Sequence, residues 1–115
     1  MTARIKRPRQ AKSKPVIRKT KASAFFQTPL AIYLVRHGVD SLIVMGTATS
    51  GCVRATVVDG FSHGYPVFVV SDGCFDRSQF FHDVNMYDMN TKYATVVTVD
   101  ETIDHLQGFA LRAAE

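Results

Sequence analysis

The chain has no tryptophan and only two cysteines, Cys52 and Cys74. They form no C-x-x-C pair and no disulfide framework, a pattern that fits a reducing cytoplasm. No apolar run approaches the ~20 residues that span a bilayer. The basic start lacks the apolar stretch of a signal peptide, so secretion is not expected. The histidines, His37, His63, His82 and His105, show neither the i, i+4 spacing of a helical zinc site nor an H-x-H, so no metal is expected. No G-x-G-x-x-G follows any candidate strand, which argues against a dinucleotide cofactor. Acidic residues are also missing where basic ones crowd: residues 1–18 contain no Asp or Glu.

What remains is ordinary globular composition. The 115 residues are 46% hydrophobic and 21% charged, enough for one domain with a modest core. The net charge of +4 is unevenly placed. Arg4, Lys6, Arg7, Arg9, Lys12, Lys14, Arg18, Lys19 and Lys21 gather at the start, whereas the chain from Asp40 onward is net acidic. Residues 1–15, with Pro8 and Pro15, read as a basic disordered tail ahead of a domain over 16–115. A basic arm suits nucleic acid or an anionic surface. No aromatic residue precedes Phe25, however, so a base-stacking platform is not expected.

Strand and helix signals alternate along the rest. Val16-Ile17 suits a short strand leading to Lys19. Thr28-Pro29 offers an N-cap followed by proline at the first helical position, for a helix to about His37 with Leu30, Leu34 and Val35 inward. The unbroken apolar run 42–45 reads as a buried strand. A helix over 52–63, a strand over 65–70 and a loop over 71–74 follow. Then come a helix over 79–89, a strand over 94–99 and a closing helix over 102–113. Such alternation implies βαβ units around a parallel sheet, with ligands beyond the carboxyl ends of the strands. Cys52 follows one strand end and Asp76-Arg77 the next, so both face one crevice.

The stretch Thr47-Ala-Thr-Ser-Gly-Cys-Val-Arg54 is the most telling. A strand runs through a tight glycine-containing turn and delivers Cys52 to the mouth of a helix. Unpaired N–H groups and the helix dipole there favour a thiolate, and can receive the oxyanion formed when it attacks a carbonyl. A cysteine that merely fills apolar space is the alternative reading.

The run Gly46-Thr-Ala-Thr-Ser-Gly-Cys-Val-Arg-Ala-Thr56 resembles the nucleophile turn of the isochorismatase-like cysteine hydrolases, in the branch of N-carbamoylsarcosine amidase and maleamate amidohydrolase. Val16-Ile-Arg-Lys19 with Ser23-Ala-Phe-Phe-Gln-Thr-Pro-Leu30 resembles the family's lysine segment. Asp76-Arg77, His82, Asn85-Met-Tyr-Asp-Met89 and Lys92-Tyr93 resemble the branch's downstream signature. The resemblance implies a three-layer α/β/α Rossmann-like parallel sheet. It also implies amide hydrolysis through a thioester, with Cys52 as nucleophile and Lys19 as the triad lysine. The backbone N–H groups of Ala48 and Cys52 would form the oxyanion hole, with a cis peptide at Thr47–Ala48. Arg77 would clamp a substrate carboxylate, and Thr49 and Ser50 either line the pocket or hold the turn. Lys21 competes with Lys19, and Arg77 has a plain ion pair with Asp76 as its alternative. His82 is expected to be structural and Cys74 a buried filler.

The family's triad aspartate lies on a first strand, upstream of the lysine, and has no counterpart in residues 1–18. The chain is therefore expected to be the C-terminal half of the family domain, with strand 42–45 lacking a neighbour and the protein self-associating into oligomers. The expected partners are a small amide carrying a carboxylate and further copies of the chain. An inactive paralogue acting by association and a small basic nucleic-acid-binding protein remain as alternatives.

Overall fold

The computed structural model describes residues 2–4 and 14–114, with side chains over 14–112. A short antiparallel pair comes first: β1 (Thr2–Arg4) lies against β2 (Val16–Arg18), with Ala3 opposite Ile17. The tail expected over 1–15 thus contributes a strand at 2–4, because the extended β2 offers it a backbone edge. Residues 5–13, where most of that tail lies, are outside the described residues.

The domain proper runs α1 (Leu30–Arg36), β3 (Leu42–Thr47), a π-helical turn (Thr49–Val53), α2 (Arg54–Ser62), β4 (Val67–Phe75), α3 (Gln79–Lys92), β5 (Thr95–Val97) and α4 (Val99–Ala114). Strands β3, β4 and β5 form one parallel sheet in that order. Side chains alternate across a strand, and β4 shows which helix covers which face. Val67 and Val69 enter a core with Val53 of the turn, Val57 of α2, and Met86 and Met89 of α3. Phe68, on the other face, meets Thr102 and His105 of α4 across a cleft. Helices therefore lie on both sides of the sheet, as the α/β/α reading expects. Val57, Val69 and Met89 are fully buried, and each such side chain is worth about 1.5–3 kcal/mol of transfer free energy.

Three local expectations change. Strand β3 is covered on one face only: Ile43 and Met45 are 38% and 54% exposed, since β3 is an edge of the sheet among the described residues and α2 and α3 pack on the opposite side. Strand β4 continues through the expected loop 71–74, because the register slips between Val44 and Gly46 and lets Gly46 pair with Cys74 and Thr47 with Phe75. Val35 of α1 is 72% exposed while Leu34 alone on that helix is buried. The seven-residue helix has room for one inward stripe.

Helix starts follow local chemistry. Ser78 caps α3 by accepting the Phe81 N–H. At α4, Thr98 and Glu101 form a reciprocal capping box, and Asp72 accepts the Val99 N–H at 2.8 Å.

Candidate active site

The site is built where β3 ends. Gly46 has φ +140°, a backbone conformation that side-chain-bearing residues rarely adopt. The Thr47–Ala48 peptide that follows is cis. The Ala48 carbonyl then accepts the N–H groups of Gly51 (3.0 Å) and Val53 (3.1 Å), which closes the π-helical turn. Cys52 is half-buried within this turn, so it lies just ahead of α2 rather than opening it. A π-helical turn inserted before an α-helix is a recurrent device at functional sites. The two N–H groups expected to receive an oxyanion, those of Ala48 and Cys52, bracket the turn's first three residues.

Lys19 leaves β2 and turns inward, with only 5% of its surface exposed. Its ammonium group donates to the carbonyls of Lys21 (2.9 Å) and Ala22 (3.0 Å) and to the sulfur of Cys52 (3.2 Å). That uses all three of its donors. Lys21, the competing lysine, is exposed and lends only its carbonyl. The segment after Lys19 is fastened to α2: the Ala24 N–H donates to the Thr56 hydroxyl at 2.9 Å. Phe25 stacks on His63, with ring centroids 4.9 Å apart. The resemblance to a lysine segment thus corresponds to a strap that seats one buried ammonium on the cysteine.

Asp76 holds the turn from the other side. It is buried, and its carboxylate accepts the Ser50 N–H and the Arg77 N–H, both at 2.7 Å. The Ser50 hydroxyl donates to it as well, and these hydrogen bonds hold its carboxyl below the ordinary carboxylate range against the opposing effect of burial. Sequence reasoning paired Asp76 only with Arg77. An acid placed directly after the strand next to β3 was the available signal that it reaches the β3 turn.

Thr49 and His82 supply a third tie. Thr49 is fully buried, and its hydroxyl meets His82 Nδ1 at 2.8 Å. Its side chain therefore points into the protein, toward α3, and the structural role expected of His82 is that of anchoring the turn. Arg77 is exposed, makes no ion pair among the described residues, and rests its guanidinium over the Phe81 ring at 5.6 Å. Arg54 is its opposite: bound to Asn85 (3.0 Å) and Asp88 (2.7 Å), it links α2 to α3. The signature stretch 85–89 accordingly works as a helix-to-helix clamp.

Among the described residues no group of three or more His, Cys, Asp or Glu is placed to hold a metal, and no helix is long and apolar enough to cross a membrane. A shallow cleft of about 440 Å³, lined by Phe61, Tyr65, Phe68 and Tyr93 among others, opens at the amino ends of β4 and β5, away from Cys52.

Known proteins resemble this chain in sequence and in fold. The model of the isochorismatase domain matches residues 3–101. The chain belongs to the isochorismatase family. Maleamate amidohydrolase of Pseudomonas putida is 41% identical over 95 residues, covering 83% of this chain and 45% of that protein. N-carbamoylsarcosine amidase of an Arthrobacter species is 35% identical over 91 residues, covering 79% of this chain and 34% of the relative. Among solved structures, an isochorismatase-like hydrolase from Alkaliphilus metalliredigens superposes with a TM-score of 0.75 at 31% identity, over 78% of this chain and 50% of that one. The chain therefore spans half or less of the length of these isochorismatase-family proteins.

Proposed function

We propose that this chain carries the nucleophile and lysine of a cysteine amidohydrolase that cleaves the C–N bond of a small amide bearing a carboxylate, of the N-carbamoylsarcosine or maleamate kind. The observation that carries the reading is the buried Lys19 ammonium 3.2 Å from the Cys52 sulfur. A buried cation is costly unless a negative group answers it. Lys19 has two carbonyl dipoles and no ion pair among the described residues, so the Cys52 sulfur is the third group that its ammonium meets.

In this reading Cys52 Sγ attacks the amide carbonyl and forms a C–S bond. The N–H groups of Ala48 and Cys52 take the oxyanion. The C–N bond then breaks, ammonia or an amine leaves with the proton that the Cys52 thiol gave up, and water hydrolyses the thioester to the acid and the free thiol. Arg77, exposed and free of ion pairs among the described residues, binds the substrate carboxylate. The carboxylate that would take the cysteine proton is the member that the described residues do not supply. General acid–base help of that kind contributes about 10²–10⁴-fold. The chain alone is therefore expected to acylate and turn over slowly.

Acid-quenched incubation with maleamate or N-carbamoylsarcosine, followed by intact-mass and peptide mapping, tests this. The expected result is an acyl adduct on Cys52 with release of ammonia. An adduct confined to Cys74, or none with either substrate, overturns it.

A second reading, action by self-association, is favoured by the edge of β3, which has no neighbouring strand among the described residues and exposes Ile43 and Met45. Light scattering of the chain should show oligomers, and a monomer across the micromolar range removes this reading.

A further inference from the structure

We propose that Asp76 is a positioning residue that locks the Cys52 turn to Arg77, so that the sulfur and the guanidinium meet one substrate at a fixed separation. The inference rests on the amidohydrolase reading and adds to it the group that sets its selectivity for a carboxylate. Two peptide N–H groups converge on one carboxylate. Ser50, two residues before Cys52, donates to Oδ2 at 2.7 Å, and Arg77 donates to Oδ1 at 2.7 Å. Ser50 follows β3, whereas Asp76 and Arg77 both follow β4, so the Ser50 bond is the one that spans the two strand ends and the Arg77 N–H, next in sequence, orients the carboxylate for it. The bridge therefore crosses the gap between the nucleophile's strand and the clamp's strand. Asp76 is only 8% exposed, so water does not readily replace it. Charge-assisted bonds of this kind are stronger than neutral ones.

The geometry demands a carboxylate. Both acceptor oxygens face donors, and the Ser50 hydroxyl adds another. An asparagine has one acceptor oxygen, and its NH₂ would confront an N–H. The rest of the site is braced independently, since Thr49 is tied to His82 and the Arg77 guanidinium rests on Phe81. Loss of Asp76 should therefore uncouple the two halves of the site without dismantling either.

Alkylation with two probes tests this on the chain as it is. Iodoacetate and iodoacetamide place the same reactive carbon on the sulfur, which displaces iodide, but only iodoacetate carries a carboxylate. The rate ratio at Cys52, normalised to a free thiol such as glutathione, reports whether Arg77 steers a carboxylate to the sulfur. The wild type is expected to favour iodoacetate by about twofold to fivefold, the range of a solvent-exposed charge contact. Asp76→Asn and Arg77→Ala should both bring the ratio to that of the free thiol. Asp88→Asn, which breaks the ion pairs to Arg54 and Lys92, should lower stability and keep the ratio.

A wild-type preference that survives Asp76→Asn overturns the inference and leaves the Arg77 clamp standing. A wild type with no preference overturns the clamp and the inference together. Should Asp76→Asn fail to fold, amide hydrogen exchange in the wild type decides: slow, matched exchange at Ser50 and Arg77 supports the bridge, and unprotected exchange at either refutes it.

Discussion

The two cysteines lie beside the carboxyl ends of neighbouring parallel strands, both half-buried, and their surroundings make them different groups. Cys52 stands in a turn held by Asp76, Thr49 and the Ala48 carbonyl, with the Lys19 ammonium on its sulfur. Cys74 lies within β4 opposite Gly46. Burial pushes its thiol above the ordinary value of 9.0, and a backbone hydrogen bond from Gly46 offsets only part of that. The contrast teaches that two equally half-buried thiols can have unlike surroundings. One meets a cation inside a braced backbone turn, and the groups that build this setting come from segments distant in sequence.

The comparison breaks most sharply at Cys52 itself. Cys52→Ala should abolish both rapid alkylation and any amide turnover, leaving slow labelling at Cys74. Limiting iodoacetamide followed by peptide mapping checks this. Preferential labelling of Cys74 in the folded wild type would reverse the assignment.

Lys19 comes next in size. A hydrogen bond to a charged group is worth about 1.5–3 kcal/mol, so Lys19→Met should slow alkylation of Cys52 by about tenfold to hundredfold. Cys74 is not among the hydrogen-bond partners of Lys19 and should keep its rate. Stability should also fall by about 1–3 kcal/mol, because the carbonyls of Lys21 and Ala22 lose their buried donor. Stopped labelling at timed points, with urea unfolding alongside, separates the two effects. Equal slowing at both cysteines would mean that the substitution has loosened the fold instead.

Much of this contrast was legible in the residues. The alternation of apolar runs with helical segments gave the parallel sheet, and the glycine-containing turn after 42–45 singled out Cys52. Lys19 was legible only through the resemblance, since composition placed it among exposed basic residues. Its burial depends on the strap from Ser23 to Phe25 docking on α2, a tertiary event with no local signature. Asp76 was legible only as an alternative ion-pair partner of Arg77, for a similar reason. Its partner Ser50 is 26 residues away, and strand adjacency, not spacing, brings them together. The extension of β4 to Phe75 was hidden because Ser71-Asp-Gly-Cys74 has the composition of a loop, and only the register slip beside Gly46 lets it pair. The exposure of Ile43 and Met45 follows from the missing neighbour that the resemblance implied for 42–45, and not from the apolar run itself, which does not say how many of its faces have neighbours.

The smallest expected effect belongs to Cys74, and its sign follows from proton linkage. Burial raises the thiol in the folded chain, while the unfolded chain titrates near 9.0. Well below that value both states hold the proton, so the contribution of this group to stability is fully present and independent of pH. As pH rises past it the unfolded chain gives up its proton first. The unfolded state then binds fewer protons than the folded one, and stability falls with pH until the folded thiol titrates as well. Cys74 is only half-buried, so solvent screening keeps the loss small. Lysines and tyrosines titrate in the same range, and the comparison with Cys74→Ala removes their share. Urea unfolding of both proteins from pH 7.5 to 10.5 should show the wild type declining more steeply, so that the stability lost by Cys74→Ala at neutral pH narrows toward alkaline pH. A difference that stays constant, or widens, would mean that the Cys74 sulfur is not held in its neutral form by the fold. The distinction from Cys52 would then rest on Lys19 alone.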